Sequence, residues 1–192
     1  MSNSSRSGFR PLRARRAATS GRLVWFEFSD RSADTTNSHG HAFIGDPVKF
    51  SSGKILPANS NDTILGVLVA IGAKPAGVMG EGIPAFDMDT PSRQYAPLAT
   101  TSGLYGLVAL AADWVFEAET GSAITFVAGE SLDMDTDANE AHGSITTNHS
   151  TARLKANVNT DMVVVENNDN PGNDPTAIYG KYAVVFTDIN NL

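Results

Sequence analysis

The sequence predicts an all-β protein, a sandwich or barrel of about eight to ten short strands with a disordered basic N-terminal arm. Three observations carry this. Apolar residues alternate, or run in short Val- and Ile-rich stretches, instead of recurring with a helical period. Turn formers punctuate the chain, with 17 Gly and 9 Pro among 192 residues and many Ser, Thr, Asn and Asp; that spacing suits many short strands. Charge is divided unevenly: residues 1–22 hold six Arg and no acid, and residues 23–192 hold the other eight basic residues and all 21 acids. A basic arm on an acidic body signals a partner for the arm. The expected organisation is a flexible Arg-rich arm over residues 1–22 and a single β-domain with two hairpin-like units over residues 23–192.

The arm is rich in Ser, Arg and Ala. It buries too little apolar area to offset the entropy of ordering, so alone it is expected to be disordered. Phe9 and Leu12 are its candidate anchors. Arg6, Arg10, Arg13, Arg15, Arg16 and Arg22 are its candidate partner-binding residues, because guanidinium groups pair bidentately with surface carboxylates. Nucleic acid suits the chain less well: aromatics interleaved with basic residues do not follow the arm, and the acidic body repels phosphate. An Arg- and Ser-rich arm without acid also fits an organelle transit peptide. A secretion signal does not fit, since the apolar residues 23–26 are cut short by Glu27. No stretch is long and apolar enough for a membrane span. Cysteine is absent, which removes disulfide and thiolate chemistry.

Residues 23–28 alternate and predict the first strand, with Val24, Phe26 and Phe28 on one face. Residues 29–41 read as a polar loop. Gly45-Asp46-Pro47 then opens an alternating strand through Phe50, and Ser51-Ser52-Gly53-Lys54 turns the chain. The run 63–72 is apolar on both faces, as in a doubly buried strand. The pattern returns at Gly129-Glu130-Ser131-Leu132-Asp133-Met134, after the apolar residues 124–128. In both places the Gly supplies positive φ and the acid accepts a backbone N–H across the turn. The echo predicts two related hairpin units. Residues 73–102, punctuated by Gly and Pro, read mostly as loop. Residues 104–117 predict two short strands bent around 111–113, followed by a turn into residues 124–127. Residues 152–158 alternate, residues 162–165 form a buried type of strand, residues 167–175 turn, and residues 178–187 make the last strand.

Chemistry-bearing motifs are weak. Asp133, Asp135 and Asp137 are spaced like the start of a calcium loop, but Ala138 and Ser144 stand where the Gly and Glu belong; a solvated acidic hairpin tip is the expectation. In a strand His39 and His41 would share a face and could ligate a metal, but no matched third ligand stands nearby; His142 and His149 read as loop residues. Ser51-Ser52-Gly53-Lys54 lacks the glycine and the hydroxyl residue of a phosphate loop. No Gly-x-Ser-x-Gly elbow is present. Asp87 and Asp89 read as solvated loop charges. No enzyme, metal site or cofactor is expected. Trp25, Phe26, Phe28 and Trp114, with Phe116, are more aromatic surface than one sheet face is expected to bury, and mark a candidate self-association interface.

Gly45-Asp46-Pro47-Val48-Lys49-Phe50, the run 64–71 with its central Gly66, the returning Gly129-Glu130-Ser131-Leu132 and the ending Lys181-Tyr182-Ala183-Val184-Val185-Phe186 resemble head decoration (cement) proteins of tailed bacteriophages. The likeness covers about residues 40–190; the Arg-rich arm and residues 133–150 stand outside it. The resemblance implies a small non-enzymatic β-protein, often trimeric, bound to the major capsid protein on the outer surface of the virion, with no catalytic residues. The arm would then dock on a shell protein or a neighbouring copy. Two other readings stay open: a surface module recognising a glycan or receptor through the 73–102 loops, and a small enzyme behind a transit peptide.

Overall fold

The computed structural model describes residues 8–16, 21–30, 41–73, 95–96, 104–135, 143–144, 149–150, 152–156, 161–167 and 173–190. All regular structure among them is β. The strands are β1 (Arg10–Ala14), β2 (Leu23–Glu27), β3 (Ala42–Phe43), β4 (Pro47–Ser51), β5 (Lys54–Pro57), β6 (Gly66–Ala73), β7 (Tyr95–Ala96), β8 (Leu104–Leu110), β9 (Trp114–Glu119), β10 (Ser131–Asp135), β11 (Gly143–Ser144), β12 (His149–Ser150), β13 (Arg153–Ala156), β14 (Met162–Asn167) and β15 (Lys181–Phe186). They form a five-stranded sheet ordered β2-β8-β6-β4-β5, a six-stranded sheet ordered β1-β9-β15-β14-β10-β13, and the pairs β3-β7 and β11-β12. The all-β expectation holds. The two main sheets together exceed the expected range by one strand, and the extra strand is β1, from the supposed arm.

The two sheets are the same structure twice. β2, β4, β5, β6 and β8 have the chain order and sheet order of β9, β10, β13, β14 and β15. Registers agree as well. Val48, Lys49, Phe50 and Ser51 face Pro57, Leu56, Ile55 and Lys54, just as Leu132, Asp133, Met134 and Asp135 face Ala156, Lys155, Leu154 and Arg153. β6 meets β8 through Gly66, Val67 and Leu68, then shifts register between Leu68 and Ala70; β14 meets β15 through Met162, Val163 and Val164, then shifts between Val164 and Glu166. A bulge kept at the same place in both copies marks a shared design. Each sheet curls until its first strand meets the third strand of its unit, at the parallel bridges Phe28–Ile55 and Thr120–Leu154. Each unit is therefore a small five-stranded barrel, and the echo in the sequence marks two whole units instead of two hairpins.

An acid-capped glycine turn leads into the second strand of each barrel. Gly45 and Gly129 take φ of 99° and 87°, conformations that only glycine adopts without strain. Asp46 Oδ2 accepts from Phe43 N–H at 2.7 Å, and Glu130 Oε2 accepts from Val127 N–H at 3.0 Å. Gly45 N–H donates to the Leu68 carbonyl and Leu68 N–H to the Asp46 carbonyl; Gly129 and Val164 do the same with Val164 and Glu130. The turn between β4 and β5 is the expected hairpin, with positive φ at Ser52 and Gly53 as a two-residue primed turn requires.

Two cores follow from two barrels. One contains Phe28, Val48, Ile55, Leu65, Leu68 and Val108. The other is larger and contains Phe9, Phe116, Phe126, Leu132, Met134, Leu154, Met162, Val164, Tyr182, Val184 and Phe186. The doubly buried reading of the run 63–72 holds for residues 66–68, where β6 lies between the cores with Val67 in the larger and Leu68 in the smaller; Thr63 is exposed and residues 69–71 are half-buried. The bend at 111–113 also holds, joining the last strand of the first barrel to the first strand of the second. Residues 124–127 are an exception: they form no strand, yet Phe126 is buried, stacked edge-on to Tyr182 with ring centroids 5.3 Å apart.

Asp161 ties the barrels together. It accepts from Ser60 Oγ at 2.7 Å and Asn61 N–H at 3.0 Å in the first unit, and from Met134 N–H at 3.0 Å in the second. Its place in the first barrel is held by Leu65, whose carbonyl accepts from Ala111 N–H as the Asp161 carbonyl accepts from Thr187 N–H.

The described part of the arm is not disordered. β1 pairs antiparallel with β9, Arg10 opposite Glu117 and Ala14 opposite Trp114. Phe9 is only 1% exposed, inside the larger core and 5.4 Å from the Phe186 ring. Gly8 and Gly45 let the chain cross there: a Cβ on Gly8 would lie 2.9 Å from Ser150 Cβ and 3.1 Å from Gly45 Cα. Residues 8–16 depart from the expected disorder because the second barrel supplies both the strand edge and the slot for Phe9, which the arm's own composition does not contain.

Candidate partner-binding surface

The arginines that mark the arm are now fixed on or beside an edge strand. Arg13 makes a salt bridge with Glu166 on β14, and both side chains stay 47% exposed. That contact raises the Arg13 pKa and holds Glu166 below its ordinary value, chiefly through the hydrogen bond between them. Arg15 donates from its guanidinium to the Ala111 carbonyl at 3.2 Å and from its backbone N–H to the Asp113 carbonyl at 2.7 Å. Partial burial lowers its pKa. Arg22 Nε donates to Asp113 Oδ2 at 2.6 Å. Arg16 is exposed and Arg10 half-buried; Arg16 adds to the positive potential at Asp113. Arg6 lies outside the described residues. The structure thus gathers five of the six candidates around β1, β9 and the bend between the barrels, with Leu12 exposed among them.

Asp113 gives this surface a pH signature. The hydrogen bond from Arg22 is the main cause of its lowered pKa. A carboxylate whose folded pKa is depressed adds stability that is present above its unfolded value and lost as pH falls through the folded one. Arg22→Ser is therefore expected to leave the melting temperature near the parent's in strong acid and below it at neutral pH, flattening the rise through about pH 4. Parallel acid limbs for parent and variant would overturn this. High salt should shrink the difference, since the pair is exposed.

The aromatic candidates fare differently. Phe28 is 2% exposed and Phe116 fully buried, so neither belongs to an interface. Phe28 points into the first barrel because it closes that barrel at Ile55. Trp114 is half-buried against the larger core; its Nε1 donates to the Arg22 carbonyl at 3.1 Å, and its ring leaves no room for a Cβ at Gly21. Phe26 is half-buried, edge-on to Phe50 at 5.6 Å. Trp25 is half-buried on the edge strand β2. The barrels, unlike one open sheet face, bury Phe28 and Phe116 on curved interiors, while Trp25, Phe26 and Trp114 stay half-buried.

Acidic residues that might suggest chemistry have structural work. Asp133 and Asp135 lie in β10, with Asp133 only 2% exposed, so this part of the acidic stretch is not a solvated hairpin tip. Asp135 pairs with Lys155 at 3.7 Å; Asp137 lies outside the described residues. Glu119 is 1% exposed and stands 3.5 Å from Arg153 Nε, whose guanidinium also lies over the Tyr179 ring at 5.0 Å. Its counterpart in the first barrel is the 3.0 Å pair of Glu27 with Lys54. Both pairs sit at the bridge that closes their barrel, so this is a seam repeated by the duplication. Among the described residues no group of three or more His, Cys, Asp or Glu could hold a metal, and no helix is long and apolar enough to cross a membrane. His41 lies 6.4 Å from the Phe43 ring. His39, His142, Asp87 and Asp89 lie outside the described residues, as do residues 74–94 and 97–103 of the long loop.

No known protein family, curated protein or solved structure matches this chain. The features that organise the surface are the strand β1, the carboxylates Asp113 and Glu166 that meet the arginines, and the slot for Phe9. Sequence reasoning named Phe9 as an anchor but aimed it at a partner. The signal that could have placed it was Gly8-Phe9 ahead of an alternating Arg-Pro-Leu-Arg stretch.

Proposed function

We propose that the chain is a non-enzymatic structural protein that binds the outer surface of a phage capsid, through the major capsid protein, and reinforces it as a homo-oligomer, most simply a trimer. The observation that carries this reading is the doubled turn of Gly45-Asp46 and Gly129-Glu130: residues that resemble decoration proteins form the same acid-capped turn in each barrel. Two rigid barrels stapled by β1 and Asp161 form a body suited to load-bearing contacts, and repetition over a lattice multiplies weak ones. Arg10 and Arg13 lie in the edge strand β1 and Arg16 just beyond it, and the exposed Arg13–Glu166 pair can be exchanged for a partner's carboxylate at little cost.

The test is attachment to particles. The protein should co-purify with virions, appear outside the shell in a density map, and rebind stripped particles. Replacing Arg10, Arg13 and Arg16 with Ser should weaken rebinding and flatten its dependence on salt. Rebinding equal to the parent's at low salt would remove these arginines from the interface. Absence from particles would overturn the whole reading, and a steep salt-dependent affinity for DNA would point the arginines at nucleic acid.

A further inference from the structure

In sequence β1 adjoins the first barrel, but it docks on the second. It is the outermost strand of its sheet, with Arg10, Pro11, Arg13 and Ala14 opposite Glu117, Phe116, Val115 and Trp114 of β9. Phe9 lies in the larger core against Phe186. Gly8 and Phe9 N–H donate to the carbonyls of Ala152 and Gly45, and Arg13 reaches Glu166 on β14. Residues 15–22 link β1 to β2, and both ends of this link rest on the bend between the barrels. At one end, Arg15 N–H donates to the Asp113 carbonyl at 2.7 Å and its guanidinium to the Ala111 carbonyl at 3.2 Å. At the other, Arg22 Nε donates to Asp113 Oδ2 at 2.6 Å, and Trp114 Nε1 donates to the Arg22 carbonyl at 3.1 Å. The link therefore leaves the bend and returns to it.

We propose that β1 is exchanged between copies of this chain: residues 8–14 of one copy occupy the β9 edge and the Phe9 slot of a second copy in the homo-oligomer. The site itself specifies this occupant. It takes a buried Phe, an Arg opposite Glu166, and an antiparallel strand whose register shifts between Pro11 and Arg13. Residues 8–14 of a second copy supply all three. Every contact made within one chain is remade between two, so the link and the protein concentration decide the exchange, and the contacts do not oppose it. The link opens between Arg15 and Arg22. Arg22 stays on Asp113 of its own chain, while Arg15 passes to the Ala111 and Asp113 carbonyls of the second copy. Seven residues reach at most about 25 Å when extended, so the bends of neighbouring copies lie within that distance. An oligomer joined in this way separates only when a strand and a core ring are withdrawn together, which suits a load-bearing body. The inference rests on the self-association in the proposed function and needs no capsid.

The chain contains no cysteine, so two introduced thiols identify the donor of each strand. Arg13→Cys and Glu166→Cys replace an exposed ion pair, and both variants should melt close to the parent. The two substitutions are made in separate full-length chains, one of them lengthened by a tag. The chains are unfolded, refolded together at high micromolar concentration and treated with a short bismaleimide. A covalent pair of one tagged and one untagged chain should be the main product, and neither variant alone should give a pair. With both substitutions in one chain, the monomer band should be lost to covalent oligomers of the size that light scattering finds for the parent. Links confined to single chains, in a parent that still scatters as an oligomer, would overturn the strand exchange and leave self-association standing. A parent that is monomeric by scattering would overturn both. Links between chains in a protein absent from virions would support the exchange and remove only the capsid.

Discussion

Phe9→Ala is expected to destabilise the whole protein, although residue 9 lies in the stretch whose composition predicts a flexible tail. The ring is 1% exposed and packs on Phe186, which in turn stacks edge-on to Phe116. Truncating a buried Phe costs about 3–5 kcal/mol, from lost transfer energy and the cavity left behind. In a chain of this size that lowers the melting temperature by roughly 10 °C. Removing residues 1–14 should cost more. It would also take away the Phe9 N–H bond to the Gly45 carbonyl at 2.8 Å and expose the β9 edge that β1 covers. Phe9→Leu, which keeps most of the volume, should fall between. Thermal melts of the four proteins settle the matter. A truncated chain melting within about 2 °C of the parent would mean that the segment is not part of the larger core.

Some of this architecture was legible in the sequence, and its limits have physical causes. The turns at Gly45-Asp46 and Gly129-Glu130 were readable because the features that shape them are local: glycine supplies the φ and the acid reaches back three residues. The bend at 111–113 was readable for the same reason. The duplication was visible only as an echo. Its equivalent positions carry unlike residues, Phe28 against Thr120 and Gly106 against Tyr182, and its connections differ, with residues 74–103 joining β6 to β8 but only residues 168–180 joining β14 to β15. The fate of the arm was hidden because a strand edge and a slot in another part of the chain decide it. Composition marks Arg13, Arg15 and Arg22 for a separate partner, whereas in the structure they meet Glu166, the Ala111 carbonyl and Asp113 of the same chain.

The unlike residues of the two barrels yield the second large effect. In the first barrel Phe28 fills the interior, and Gly106 leaves it room: a Cβ on Gly106 would lie 2.6 Å from Leu68 Cδ1, 2.8 Å from Ile55 Cδ1 and 2.9 Å from Phe28 Cζ. In the second barrel the roles are exchanged. Thr120 stands in the place of Phe28, and Tyr182 stands in the place of Gly106, its hydroxyl donating to the Pro175 carbonyl at 2.7 Å. Each barrel thus holds one ring at this level, supplied by a different strand. Gly106→Ala alone overfills the first barrel and should cost about 1–3 kcal/mol. Phe28→Thr alone empties it and should cost about 3–5 kcal/mol, as large-to-small core changes do. Together they should cost less than their sum, by about 0.5–3 kcal/mol, because the space vacated by the ring relieves one of the three contacts of the new methyl group. Denaturant unfolding of the parent, both single variants and the double variant measures that coupling. Strict additivity would show that the two positions do not share one filled space, and the exchange of ring and gap between the barrels would then have no packing meaning.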